Sequence, residues 1–175
     1  MIKLKDILLE GKPPSIFIPR RIEDRVERLI KNYIRNGSKG DLDLSNLKLT
    51  VLPDILKDIS VGGNFDCGYN NLTNLINAPK FVGGTFYCEN NELTSLEGAP
   101  SSVGEDFSCN DNHLTSLTGA PKTVGRNFDC SYNELTSLEF APKTVGGFFD
   151  CRYNPVKFTE KQVRAVCNVK GDVYV

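Results

Sequence analysis

The sequence predicts a repeat solenoid: a β-rich arc of stacked strands with a helical cap at its N-terminal end and a helix–strand cap at its C-terminal end. Three observations carry that prediction. Phe65, Phe86, Phe107, Phe128 and Phe149 recur every 21 residues without slippage. In each copy a Cys follows two residues later, a strand-like spacing that points both side chains to one face. Helical patterns flank the repeated region on both sides. A fixed period of this kind decides the fold, because no single unit can bury its apolar edge alone and stability must come from stacking.

Residues 1–14 read as a leader and linker ending in Gly11-Lys-Pro-Pro14. Residues 15–40 supply the N-terminal cap. Ile22, Val26, Leu29, Ile30, Tyr33 and Ile34 follow helical spacing, Arg and Glu fill the other face, and Gly37 is placed to stop the helix. Residues 41–158 hold six units. The first runs from Leu42 to Pro53, lies 23 residues upstream of the second, and has Leu42 and Leu44 where later copies have Phe and Cys. Residues 159–175 form the C-terminal cap. Thr159 and Gln162 fit a capping box, with Val163, Val166 and Cys167 facing inward. Gly171 then turns the chain into a short strand, Val173–Val175, that extends the sheet.

Within a unit each position has a physical reading. Asn70, Asn91, Asn112, Asn133 and Asn154 sit where the chain leaves the strand, so their amides can bond neighbouring backbone and stack as a ladder. Leu72, Leu93, Leu114 and Leu135 follow, with Val156 in the last copy. Ala-Pro pairs such as Ala99-Pro100 block a helix. Val-Gly pairs such as Val103-Gly104 return the chain to the sheet, a role assigned to glycine's access to positive φ. Six strands at about 4.8 Å spacing make a sheet roughly 24 Å across.

The unit Phe-x-Cys-x-x-Asn-x-Leu-Thr-Ser-Leu resembles the leucine-rich repeat, with its strand followed by an Asn-x-Leu turn. It looks most like the short bacterial type of secreted effectors, in which a Pro-containing extended segment replaces the back helix. The resemblance covers about two-thirds of the chain and implies a β-rich leucine-rich-repeat arc whose concave strand face binds a protein or peptide. Some effectors of that type carry a separate ubiquitin-ligase domain; nothing large enough follows residue 156 here, so that activity is not carried over.

Composition narrows the function further. Residues 1–40 have a net charge of +5 and residues 41–175 a net of −6. An acidic body disfavours gripping nucleic-acid phosphates, so nucleic acid is not an expected partner. No apolar run approaches the 18 or so residues of a membrane span, and no membrane partner is expected. Five of the six cysteines share one inward register position, which implies free, buried thiols in a reducing compartment. With one histidine and no Cys-x-x-Cys, neither a metal nor a cofactor is expected. Cys109 and His113 are four residues apart, but an inward Cys and a turn His do not make a nucleophile and base. No catalytic residues are assigned, and the protein is read as a non-enzyme.

The expected binding face lies on the solvent side of the strands. Between the inward pairs stand Asp43, Asp66, Tyr87, Ser108, Asp129 and Asp150, and one step earlier come Asp41, Asn64, Thr85, Asp106, Asn127 and Phe148. Just beyond lie Ser45, Gly68, Glu89, Asn110, Ser131 and Arg152, then Asn46, Tyr69, Asn90, Asp111, Tyr132 and Tyr153. Asp43/Asp66 and Asp129/Asp150 place like charges on neighbouring rungs, which disfavours stacking and suggests that the acidity serves a basic partner. One Asp per rung falls short of the six to eight oxygens that calcium takes.

Met1–Glu10 resembles the capsid-targeting leader of internal head proteins of large tailed phages, in which a maturation protease cuts after a Leu/Ile-x-Glu type sequence. Leu8-Leu9-Glu10 matches it, with Gly11 following the cut. That resemblance implies an alternative role as a bacteriophage virion component, located in host cytoplasm or in the virion.

Overall fold

The structure, a computed structural model, describes residues 20–175. The expected leader, with its Leu8, Glu10 and Gly11, lies outside the described residues. Arg20–Arg35 forms helix α1. Val26, Ile30 and Tyr33 are buried, and Ile22 and Leu29 pack against the same core. This stripe closes the first coil by packing on strand β1 (Leu42–Asp43). Ile34, assigned to the same stripe, instead points outward and is 40% exposed. The Tyr33 hydroxyl lies 2.6 Å from the Ser38 carbonyl and accepts the Gly62 N–H at 3.2 Å, tying the helix to the end of the first coil.

Every coil has two strand stations, and each station stacks into its own parallel sheet. The seven-stranded sheet takes β1, β3 (Phe65–Asp66), β5 (Phe86–Tyr87), β7 (Phe107–Ser108), β9 (Phe128–Asp129), β11 (Phe149–Asp150) and β13 (Val173–Tyr174), in that order. The six-stranded sheet takes β2 (Ser60–Val61), β4 (Phe81–Val82), β6 (Ser102–Val103), β8 (Thr123–Val124), β10 (Thr144–Val145) and β12 (Asn168–Val169). The second sheet is an addition to the sequence reading. It carries one inward residue per coil, the Val of each Val-Gly pair, and one residue cannot show a two-residue alternation.

Register is in phase throughout: Phe65, Phe86, Phe107, Phe128 and Phe149 pair rung to rung. Their rings form a continuous buried column with centroids 5.1–5.7 Å apart. Beside it runs the thiol column, in which Cys67 Sγ donates to the Tyr87 carbonyl of the next rung at 3.2 Å, and Cys88, Cys109 and Cys130 repeat the bond. The asparagines form the anticipated ladder. Asn91 Oδ1 accepts the Leu72 N–H at 2.9 Å while its Nδ2 donates to the Cys67 and Cys88 carbonyls at 3.0 and 3.2 Å. Each amide therefore joins its own coil to the preceding one. The first coil holds its two extra residues in a 3-10 helix, Asp54–Asp58, where later coils make the Ala-Pro turn.

The Val-Gly glycines require a correction. Positive φ among glycines occurs at Gly37, Gly40, Gly98 and Gly119, not in this row. The reason for glycine is instead close approach. A Cβ on Gly104 would lie 1.9 Å from the Gly83 carbonyl oxygen, and one on Gly125 would lie 1.8 Å from that of Gly104. Coils touch backbone to backbone at this corner, leaving no room for a side chain.

Two residues at the C-terminal end also depart from expectation. Val156 does not occupy the Leu slot but is exposed, and Phe158 is buried instead. Val166 faces solvent, while Val163 of helix α2 (Glu160–Val166) and Cys167 just after it are buried. The capping box is present: Thr159 Oγ1 accepts the Gln162 N–H at 3.3 Å, and Gln162 Oε1 accepts the Thr159 N–H at 2.9 Å. Arg164, held by Glu160 at 2.7 Å, donates to the Val169 and Gly171 carbonyls at 2.8 and 3.0 Å. Its guanidinium supplies donors to these carbonyls of the last coil.

Gly125→Ala is expected to destabilise the fold by about 1–3 kcal/mol, the usual cost of overpacking. Urea unfolding measures it, and an unchanged midpoint would contradict the close-approach explanation.

Candidate protein-interaction surface

In a Phe-x-Cys strand the middle residue faces solvent, so the seven-stranded sheet presents one such residue per rung. Asp43, Asp66 and Asp129 stand in this row, each fixed by a local turn. Asp43 Oδ1 accepts the Ser45 N–H at 2.8 Å, Asp66 Oδ1 accepts that of Gly68 at 2.9 Å, and Asp129 Oδ1 accepts that of Ser131 at 2.9 Å. Among the described residues, no Lys or Arg forms an ion pair with these three carboxylates. Tyr87 and Ser108 occupy the intervening rungs, half-buried, with Ser108 Oγ bonded to Asn110 Oδ1 at 2.7 Å.

Asp150 differs from its expected place. It is 5% exposed, because Arg152 lies over it. Arg152 Nε sits 3.1 Å from both carboxylate oxygens and Nη2 sits 2.5 Å from Oδ2. The same guanidinium lies 4.9 Å from the centre of the Tyr174 ring and 5.9 Å from that of Tyr153.

The residues one step before the strand pair have a different job from the one sequence reasoning gave them. Asp41 Oδ1 accepts the Asn64 N–H, Asn64 Oδ1 that of Thr85, Asp106 Oδ1 that of Asn127, and Asn127 Oδ1 that of Phe148, at 2.7–3.0 Å. They are a second side-chain ladder, and Thr85 is fully buried. Asp106 is thus half-buried and committed to backbone. The signal was available: short side chains with an acceptor oxygen fill this position in five consecutive copies. Phe148, the exception, packs edge-on against Tyr174 at 5.5 Å.

Just past the strands, Asn46, Tyr69, Asn90, Asp111, Tyr132 and Tyr153 all adopt left-handed backbone, with φ between 51° and 59°. Asn and Asp tolerate this region, whereas a bulky Tyr there is uncommon. The station holds the tyrosine rings out from the sheet; Tyr69, Tyr132 and Tyr153 are 49–62% exposed. Tyr132 and Tyr153 stack at 4.2 Å. The sequence placed Tyr69, Tyr132 and Tyr153 at one station of this surface, but not their left-handed backbone. Glu89, expected to be exposed on the same face, instead has its Oε2 buried without a hydrogen-bond partner. The Glu89 carboxyl lies over Gly68: a Cβ there would be 3.3 Å from Glu89 Cδ.

Burial raises the carboxyl pKa of Asp66, and the neighbouring Asp43 raises it further. Burial does the same for Glu89 and Asp129, with added repulsion from Asp66 and from Asp150 respectively. Burial also pushes up the thiols, Cys151 to about 12 and the fully buried Cys67, Cys88, Cys109 and Cys130 well above the ordinary value. Such thiols are poor nucleophiles at neutral pH. Cys109 donates into the core to the Asp129 carbonyl, while His113 lies outside, 2.9 Å from Glu134. The two do not meet as a dyad.

A solved structure of a Shigella effector LRR domain is similar to this chain, with a TM-score of 0.65 and 22% identity over 90% of this chain and 80% of that one. The fold is a leucine-rich-repeat solenoid. No protein-family model and no curated protein matches the sequence. Within the leucine-rich-repeat architecture, the acidic row and the tyrosine station occupy one face, and the two ladders hold that face rigid from beneath.

A carboxyl whose pKa is raised on folding binds its proton more readily in the folded state. Stability therefore falls as pH rises from the unfolded value, about 4, through the raised value. Asp129→Asn is expected to raise the melting temperature at neutral pH, with the gain shrinking towards pH of about 4. A gain that does not vary with pH would contradict the assignment.

Proposed function

We propose that this protein is a non-enzymatic interaction module that binds a basic protein or peptide on the outer face of its seven-stranded sheet. The observation that carries the reading is the row Asp43, Asp66 and Asp129. Each carboxylate is oriented by its own turn, and none forms an ion pair among the described residues. Asp43 and Asp66 repel one another on adjacent rungs, and Asp150 repels Asp129, a cost that a merely soluble surface has no reason to concentrate on one sheet. Leucine-rich-repeat folds serve in general to bind proteins, which agrees. The buried thiols and the separation of Cys109 from His113 offer no nucleophile on this face.

Attraction between such a surface and a cationic ligand is screened by salt. Fluorescently labelled hexa-lysine is expected to bind at low ionic strength and to weaken as salt is raised. The Asp66→Asn/Asp129→Asn double variant is expected to lose about tenfold in affinity, roughly 0.7 kcal/mol per charge. Equal affinity for the double variant and the parent would sink the proposal.

A second reading rests on the leader sequence Leu8-Leu9-Glu10-Gly11, which favours packaging into a phage head followed by proteolysis. The intact mass of the protein recovered from purified particles tests it. Loss of residues 1–10 is expected, and a mass that includes them contradicts processing.

A further inference from the structure

The acidic face contains a motif used three times. Asp66 and Tyr69, Asp129 and Tyr132, and Asp150 and Tyr153 each place a strand aspartate three residues before a tyrosine in left-handed backbone. In the third copy the motif is filled by the protein's own Arg152. The guanidinium makes a forked contact with the Asp150 carboxylate and lies 5.9 Å from the Tyr153 ring centre and 4.9 Å from that of Tyr174 on the next rung, a position held by Tyr87 beside Asp66 and by Asp150 beside Asp129. The other two copies have no such residue: Gly68 and Ser131 stand where Arg152 stands. Both Asp66 and Asp129 keep one oxygen in the local turn and form no ion pair. At the Asp66 copy, Glu89 adds a second carboxylate over Gly68, with Oε2 lacking any donor.

We infer that the Asp66/Tyr69 and Asp129/Tyr132 motifs are receptors for arginine side chains of an extended partner segment, with Arg152 showing the bound arrangement from within the chain. This rests on the proposed basic partner and makes it more specific. A planar fork matches a carboxylate through two parallel bonds and stacks on an aromatic face, whereas an ammonium does neither as well. Glu89 beside Asp66 suits a group with five donors better than one with three. The two receptors lie three rungs apart along the sheet, β3 to β9. That is about 14 Å, which an extended chain covers in roughly four residues. Arginines four apart, on a segment running across the strands, reach both.

The test compares hexa-arginine with hexa-lysine, which have equal charge, by fluorescence anisotropy with the full chain. Hexa-arginine is expected to bind about tenfold more tightly, each stacked site contributing a few-fold. In Tyr69→Asn/Tyr132→Asn that preference is expected to fall towards one while hexa-lysine affinity holds. These substitutions install the residue already present at the same station as Asn46 and Asn90, so the backbone accepts it. Arg152→Ala opens the third motif, and the arginine-to-lysine ratio is expected to grow, which a simple change of net charge would not produce. Equal affinity for the two peptides overturns the arginine receptor but leaves the basic-partner reading standing. Failure of both peptides to bind overturns both.

Discussion

Each coil of this solenoid exposes backbone and side-chain groups that only the neighbouring coil can satisfy, and this mutual dependence underlies everything else in the structure. The Asn91 amide spans the Cys67 and Cys88 carbonyls and the Leu72 N–H, a set that exists only when two coils are in register. Asp106 and Asn127 pass the same obligation along a second line, and the thiols along a third. A slip of one residue would break all three lines and drive the phenylalanine column out of the core. An unsatisfied buried polar group costs on the order of 1–3 kcal/mol, so register is specified at several points in every coil.

The ends follow from the same demand. A stack must stop somewhere, and the last coil has carbonyls with no successor. Arg164 answers with a guanidinium that reaches Val169 and Gly171 at once. At the other end α1 covers the apolar edge of the first coil, and Tyr33 engages the backbone of Ser38 and Gly62. Both caps join an apolar cover, Val26 and Ile30 at one end and Val163 and Cys167 at the other, to a side chain that bonds backbone.

The fold was legible because its signal is repeated. Phe, Cys, Asn and Leu each recur at one station, and period alone places them on the same face. What escaped the sequence were features with one residue per coil or none. The six-stranded sheet shows itself only as a Val, and the close approach at Gly104 and Gly125 leaves no pattern distinguishable from a turn. The candidate surface was legible in part. Alternation put Asp43, Asp66 and Asp129 outside, but could not show that Asp106 serves the backbone or that Arg152 covers Asp150. The first shows in sequence only as a run of short acceptor side chains at one station, and the second depends on where a guanidinium folds, which spacing does not encode. Alternation also put Tyr69 and Glu89 on the face, but not the left-handed backbone of the one or the seat of the other over Gly68.

The left-handed station just past each strand has a consequence for how such a surface can change. Asn, Asp and Tyr all occupy it at nearly the same φ, and the same Phe and Cys pair is buried beneath it in the five later coils. What the chain displays there is therefore decoupled from what holds the coil together. Exchanging residues at one station rewrites a single reading position on the face while its neighbours stay in place. The molecule is in this sense a rack with interchangeable tips, whose specificity can be edited one rung at a time.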